Sequence, residues 1–280
     1  MGIDRIKYRS WKGGKSSHFR RVYSIILNIF IQKIKSKGIL AILIIGLILV
    51  HAFPIIFGAL FPHEELTPEM LVGSSIILGS YLKNGLLVIF ILLLVSLVCS
   101  DLISQDLKDK SFVLYFSRPI KTLDYLIGKI GGAIGIISIF TFFPFIFYCL
   151  VIIGTQTGDD YSGSFSVFGK TIIVGMLTTF FFVSYGIMIS SLTQKKTYAG
   201  IGIFMSFFVL TIVGSIFSTF DQNWVFISPI NLLFYSYDII YGIDIPSELN
   251  SNIIGILLFC ILFIPLVVTY TQIYKKEVGR

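Results

Sequence analysis

Two Gly-Lys-Ser/Thr triplets have the residue types for binding phosphate, since a lysine and a hydroxyl closing a glycine-rich loop can cradle it. Gly14-Lys15-Ser16 carries Arg9 where the upstream glycine belongs, and Gly169-Lys170-Thr171 carries Ser164 there. Neither follows a strand pattern, so neither has the strand–loop–helix setting that such a loop requires. His51 stands three residues before Pro54 in an uncharged stretch, with no acid or cysteine partner in that stretch. Metal sites need several ligands, so His51 reads as a histidine hydrogen-bonded between helices. Asp101 closes an apolar run and reads as an anchor for the polar loop that follows. Asp159-Asp160, beside Gly158 and Gly163, reads as a solvated turn. The sequence has no Glu-Glu helix motif, no Gly-x-Ser-x-Gly and no His pair, which argues against a membrane-embedded protease or lipid-processing enzyme. Cys99, Cys149 and Cys260 lie inside apolar runs and imply no disulfide framework.

The elements that must position these groups are apolar runs. The chain has 280 residues, 55% hydrophobic and 13% charged, with a mean hydropathy of +0.88; soluble domains carry about 25% charge. Ile39–Phe61, Asn84–Ser100, Ile130–Gly158, Thr171–Gln194, Thr197–Phe220 and Leu249–Tyr274 contain no Asp, Glu, Lys or Arg. A bilayer crossing takes about 20 apolar residues. Five runs reach that length, and the second does so when extended to Leu82 and Ile103. The fold class is therefore an all-α polytopic membrane protein, with six transmembrane helices at about 39–61, 82–103, 128–154, 171–192, 198–219 and 252–274. Ion-coupled carriers often hold charged pairs at mid-depth. These spans hold none, so driving energy is expected to enter from elsewhere.

Charge sets the orientation. Of 22 Lys and Arg, only Lys83 and Lys170 fall on one side of this arrangement; the rest lie before span one, after spans two and four, or in the tail. The positive-inside rule places both termini in the cytoplasm. Residues 62–82, 155–170 and 220–250 then lie outside. The net charge of +7 follows from topology, and no nucleic-acid partner is expected. Residues 1–38 lack the short apolar core of a cleaved signal, so span one is expected to act as a signal anchor.

Residues 1–17 are basic, with Gly and Ser, and are expected to be flexible. Residues 18–37 read as an amphipathic helix at the cytoplasmic interface. Arg20, Ser24, Asn28, Gln32 and Lys35 form its polar stripe, and Phe19, Tyr23, Ile26, Phe30 and Ile34 turn to lipid. Leu71–Leu82 reads as an external helix or the outer end of span two, with Lys83 snorkelling to headgroups. The aromatic-rich outer segment 220–250 is expected to form one or two short helices on or in the outer leaflet.

The loop at 104–127 is too long for a turn and too polar for a span. A helix is expected over Ser104–Phe116, with Asp106 and Lys110 as a stabilising i,i+4 pair. Leu107, Leu114 and Phe112 or Val113 supply its apolar positions. Arg118 precedes Pro119 and is pushed to extended geometry, which ends that helix. Thr122 can cap a second helix, with Asp124 in its first turn, running through Gly128 into span three. A structured, charged piece between two spans suits docking of a partner.

The run Asp106…Lys110-Ser111-Phe112-Val113-Leu114-Tyr115-Phe116-Ser117-Arg118-Pro119-Ile120…Tyr125-Leu126-Ile127-Gly128-Lys129 resembles the segment after the second span of ABC-2 type permeases. Ser190-Ser191-Leu192-Thr193 with Ala199 is similar to the same family at the end of span four. Asp106 stands where many members have Glu, and Lys110-Ser111 where a Gly-Thr pair is common. The resemblance implies a membrane subunit of an ATP-driven exporter with a cytoplasmic coupling helix between spans two and three. Asp106, Lys110, Leu114, Arg118, Pro119 and Lys121 would engage a separate cytosolic ATPase. That partner would bind ATP and Mg, with no cofactor in this chain. A second permease copy or a paralogue would complete the path. The readings from other classes are a non-transporting membrane scaffold or assembly subunit, and a membrane-embedded enzyme.

Overall fold

A computed structural model describes residues 17–60, 68–111, 121–154, 161–247 and 249–278. Among these residues the chain is helical and has no strand, and six helical stretches are long and apolar enough to cross a membrane. They are Lys37–Ile56, Gly85–Lys108, Thr122–Gly154, Phe165–Leu192, Lys196–Phe217 and Ser251–Lys275, called here spans one to six. This is a multi-pass membrane protein. Ile212, Ile216, Phe259 and Val267 on spans five and six are exposed. Such apolar walls suit lipid or a partner and not water.

Spans two and four form the centre. Gly186 of span four lies so close to span two that an added Cβ would stand 2.9 Å from Val95 and 3.0 Å from Cys99. Span five closes on the same core, where Ser96 donates to the Gly200 carbonyl at 2.9 Å. Spans one and three are irregular beside a proline. Span one winds as a π-turn over Leu47–Ala52, just before Pro54. Span three breaks at Thr141, between helices Thr122–Phe140 and Phe142–Gly154, three residues before Pro144. Proline supplies no N–H to the preceding turn, which explains irregularity at both places.

The N-terminal helix, His18–Ile34, is capped by Ser17, whose Oγ accepts from the Arg20 amide at 3.4 Å. It lies on span three. Gly128, Gly131, Gly132 and Gly135 form a notch that receives Ile25, Ile26, Ile29 and Phe30. This corrects the two-sided reading of that helix: Ile26 and Phe30 face protein, while Phe19, Tyr23, Leu27 and Ile31 form the exposed apolar stripe. Absence of side chains along the notch lets two backbones approach, which amphipathic periodicity alone does not reveal.

The opposite end also departs from expectation. Helix Pro68–Leu82 stops at Lys83, and Asn84 caps span two by accepting from the Leu86 amide at 2.9 Å. Span two therefore does not extend back to Leu82. Lys83 pairs with Asp238 at 2.5 Å instead of reaching outward for headgroups. The segment after span five forms a short 3-10 helix, Gln222–Ile227, and a longer helix, Pro229–Tyr241. Ser228 caps the latter, Pro229 fits its first turn, and Gly242 ends it at φ 78°. Leu232, Leu233, Ser236, Tyr237 and Asp238 are buried against the bundle, so this helix is docked on protein more than on lipid. Tyr237 bonds Thr178 at 2.7 Å and Tyr241 bonds Thr171 at 3.0 Å. Lys170 donates to the Tyr241 carbonyl at 3.0 Å. Those partners explain why the aromatic residues go inward: a buried phenol needs a hydrogen bond. Burial pushes the Tyr237 and Tyr241 hydroxyls above the usual phenol range.

Candidate functional site

Charge collects where span two ends and span three begins. Span two leaves its helix at Ser100 and turns through Asp101–Ile103 into a short helix, Ser104–Lys108. The turn is held from span four: Ser190 Oγ accepts from the amides of Ile103 and Ser104, both at 3.2 Å, and donates to the Ser100 carbonyl at 3.1 Å. One serine thus satisfies three backbone groups that a helix end leaves open. This gives a physical reason for a serine at the start of the Ser190-Ser191-Leu192-Thr193 run.

The short helix stops early. Asp109 closes it and Lys110 takes a left-handed conformation at φ 53°, so the expected helix to Phe116 is interrupted. Asp106 and Lys110 do not form the predicted pair. Asp106 instead accepts from Tyr125 Oη at 2.5 Å and pairs with Lys129 Nζ at 2.8 Å. Lys129 also lies over the Tyr125 ring, 5.3 Å from its centroid. The side chains of Lys129 and Asp106 are only 8% and 14% exposed. The competition between partners has a physical winner. An exposed i,i+4 pair is worth a few tenths of a kcal/mol, whereas a buried ammonium left without a counter-charge costs several.

Span three's first helix begins at Thr122, with Lys121 in the capping position. Thr122 is therefore the first helical residue and not the cap. Asp124 does the capping, accepting from the Lys121 amide at 3.0 Å. Leu114, Arg118 and Pro119 lie outside the described residues, as do Asp159 and Asp160. Of the six residues proposed for docking, the structure places Asp106 inside, against span three, and Lys110 and Lys121 at the open ends of the loop.

A second ion pair stands beside the first. Lys33, near the end of the N-terminal helix, pairs with Asp101. Asp101 thus anchors a helix and not the loop. The pairings of Lys33 with Asp101 and of Tyr125 and Lys129 with Asp106 were not read from the loop, although a lysine in the Gly-Lys step at the head of an apolar run is a sequence signal. Together these contacts tie the start of the loop to spans three and four, and the N-terminal helix to the turn that precedes it. The cluster has donors and acceptors already matched to one another. Among the described residues no group of three or more His, Cys, Asp and Glu could hold a metal.

His51 lies far from this cluster. Its Nδ1 bonds Tyr81 Oη, between span one and helix Pro68–Leu82. The Gly169-Lys170-Thr171 triplet sits inside an unbroken helix, Tyr161–Leu192, with Lys170 used as described above.

A profile of the family described as ABC-2 family transporter protein matches residues 23–277. Comparison with curated protein sequences gives no match.

Proposed function

This chain belongs to the ABC-2 transporter family, and we propose that it is the membrane half of an ATP-driven exporter. ABC-2 members are membrane permeases of ABC transporters, and the observation that carries the finer reading is the cross-tied loop. Asp106 is bound to span three through Lys129 and Tyr125, and the turn before it is held by Ser190. A cytosolic ATPase pressing on this loop would move spans two, three and four as one body, a rigid-body switch between two states. In this reading ATP and Mg are bound by that partner, and the chain itself catalyses nothing. Two permease copies, or one and a paralogue, form the path between them. Both termini and the loop face the cytoplasm of a cell membrane, consistent with the clustering of Lys and Arg. The N-terminal helix lies in the cytoplasmic interface with Phe19, Tyr23, Leu27 and Ile31 toward lipid.

The test is reconstitution. The chain is purified with whatever cytosolic ATPase it retains, and vesicles are made with the chain alone and with both subunits. Transport is expected only with both subunits and ATP, and it is expected to survive collapse of the proton gradient at constant ATP. Accumulation of a substrate by the chain alone on an imposed ion gradient would overturn the reading.

A further inference from the structure

The N-terminal helix, His18–Ile34, has three sides. Ile25, Ile26, Ile29 and Phe30 fill the glycine notch of span three. Phe19, Tyr23, Leu27 and Ile31, spaced four apart, form an exposed apolar stripe. Arg20, Ser24, Asn28 and Gln32, also four apart, form an exposed polar stripe beside it. At about 3.6 residues per turn, Arg20 falls on the boundary between the two stripes.

The notch sets the depth of this helix. Ile25 meets Gly128. Gly128 stands about ten residues before Ser138, the midpoint of the helical stretch Thr122–Gly154, and so about 15 Å from mid-depth at about 1.5 Å per residue. That is the edge of a hydrocarbon core about 30 Å thick, where headgroups begin. Arg20 on the helix and Lys35 and Lys37 just beyond it are exposed, and among the described residues no acid pairs with them. By contrast, Lys33, Lys83 and Lys129 each hold a carboxylate. Residues 1–16 add Arg5, Lys7, Arg9, Lys12 and Lys15 against one acid, Asp4.

We propose that the N-terminal helix docks on an anionic lipid leaflet, with its apolar stripe among the acyl chains and Arg20, Lys35, Lys37 and the basic residues before the helix on the lipid phosphates. This binding rests on the placement of the helix in the cytoplasmic interface given above, and it adds the charge of the lipid. A zwitterionic headgroup offers a phosphate to each cation but sets an ammonium beside the next one, so a net negative leaflet is the better match. Each cation near such a surface favours it about fivefold. A nucleic acid or an acidic protein would match the cations and leave the apolar stripe unused at the edge of the hydrocarbon.

Tyr23→Trp is combined with Trp11→Phe and Trp224→Phe, which leaves one tryptophan, on the apolar stripe. The full chain is placed in nanodiscs of phosphatidylcholine with a minor share of phosphatidylglycerol, with bromine on the acyl chains of one lipid or the other. Quenching should show phosphatidylglycerol enriched at least about fivefold over its share of the bilayer, the effect of a single cation. In about 1 M KCl, where the Debye length falls to about 3 Å, the enrichment should vanish while quenching by phosphatidylcholine persists. Arg20→Gln, Lys35→Gln and Lys37→Gln combined should lower the enrichment severalfold in a protein that elutes as wild type. Phe220→Trp in place of Tyr23→Trp puts the reporter on an exposed residue at the far end of span five, where both lipids should quench according to their bulk shares. Equal quenching by both lipids at position 23, an enrichment that survives high salt or the triple substitution, or the same enrichment at position 220 would each overturn the proposal. No quenching by either lipid would overturn the interfacial placement as well and leave the stripe to a protein partner. If the triple variant does not elute as wild type, salt and position 220 decide.

Discussion

Neutralising one member of the Asp106–Lys129 pair should cost far more than neutralising both. At 2.8 Å and an effective dielectric of about 20, the attraction is roughly 6 kcal/mol, most of it offset by the desolvation of two buried charges. The pair as a whole therefore adds little, yet each charge depends on the other. Lys129→Met leaves the Asp106 carboxylate buried with only the Tyr125 hydroxyl and should destabilise by about 3–5 kcal/mol. Asp106→Asn keeps an oxygen for Tyr125 and leaves the ammonium over the Tyr125 ring, so its cost should be smaller. The double variant carries no buried charge and should return to within about 1 kcal/mol of wild type. Unfolding in mixed detergent micelles, followed by tryptophan fluorescence at varied denaturant, closes the cycle. A coupling of at least about 2 kcal/mol is expected, beyond the few tenths typical of independent sites. Additive losses, with the double variant worse than either single, would refute the reasoning: Asp106 would then be held by something other than charge balance, and the loop's tie to span three would go with it.

Three other perturbations separate the remaining parts of the account. Gly132→Val puts a Cβ 2.6 Å from Ile29 Cγ2; it should cost about 1–3 kcal/mol and be partly rescued by Ile29→Ala, whereas no loss would mean the N-terminal helix is not seated in the notch. Leu114→Asp, at an expected apolar docking position, should abolish retention of the ATPase without loss of membrane insertion; normal co-purification would remove the docking assignment. Single cysteines at Asp160 and Glu248 should react with an impermeant thiol reagent on intact cells, and one at Lys195 should not; labelling at Lys195 would overturn the six-span topology.

The broad architecture was legible because a bilayer simplifies the code. Six stretches free of Asp, Glu, Lys and Arg are a one-dimensional signal, and no pairing is needed to see them. The start of span three was nearly legible too: Asp124 belongs in a first turn, but its carboxylate and not the Thr122 hydroxyl takes up the free amide. What the sequence did not disclose is which charges meet. Asp106 has Lys110 one turn away along the chain and Lys129 across a helix interface, and periodicity sees only the first. The choice is made by burial, which is a property of the folded bundle. The reading of residues 220–250 failed for a related reason. Tyr237 and Tyr241 have a composition equally suited to a headgroup belt and to a polar seam, and only the hydroxyls of Thr178 and Thr171 on span four decide between them.

The glycines of span three give the opposite lesson. Gly128, Gly131, Gly132 and Gly135 stand on one face at spacings of three and four, a pattern that in membranes marks close helix contact. Read as a recognition surface, that face anticipates a partner helix, and the isoleucine-rich side of residues 25–30 is the nearest candidate in the chain. The two ion pairs then follow as consequences of the seating. With Ile25, Ile26 and Ile29 fixed in the notch, Lys33 is carried along the same helix to Asp101 at the end of span two. Lys129, one residue past Gly128 on span three, meets Asp106. A small-residue face on span three thereby aligns the N-terminal helix, the end of span two and the loop. The loop's position is accordingly set from outside its own sequence, which is why its internal helical periodicity misjudged where Asp106 would point.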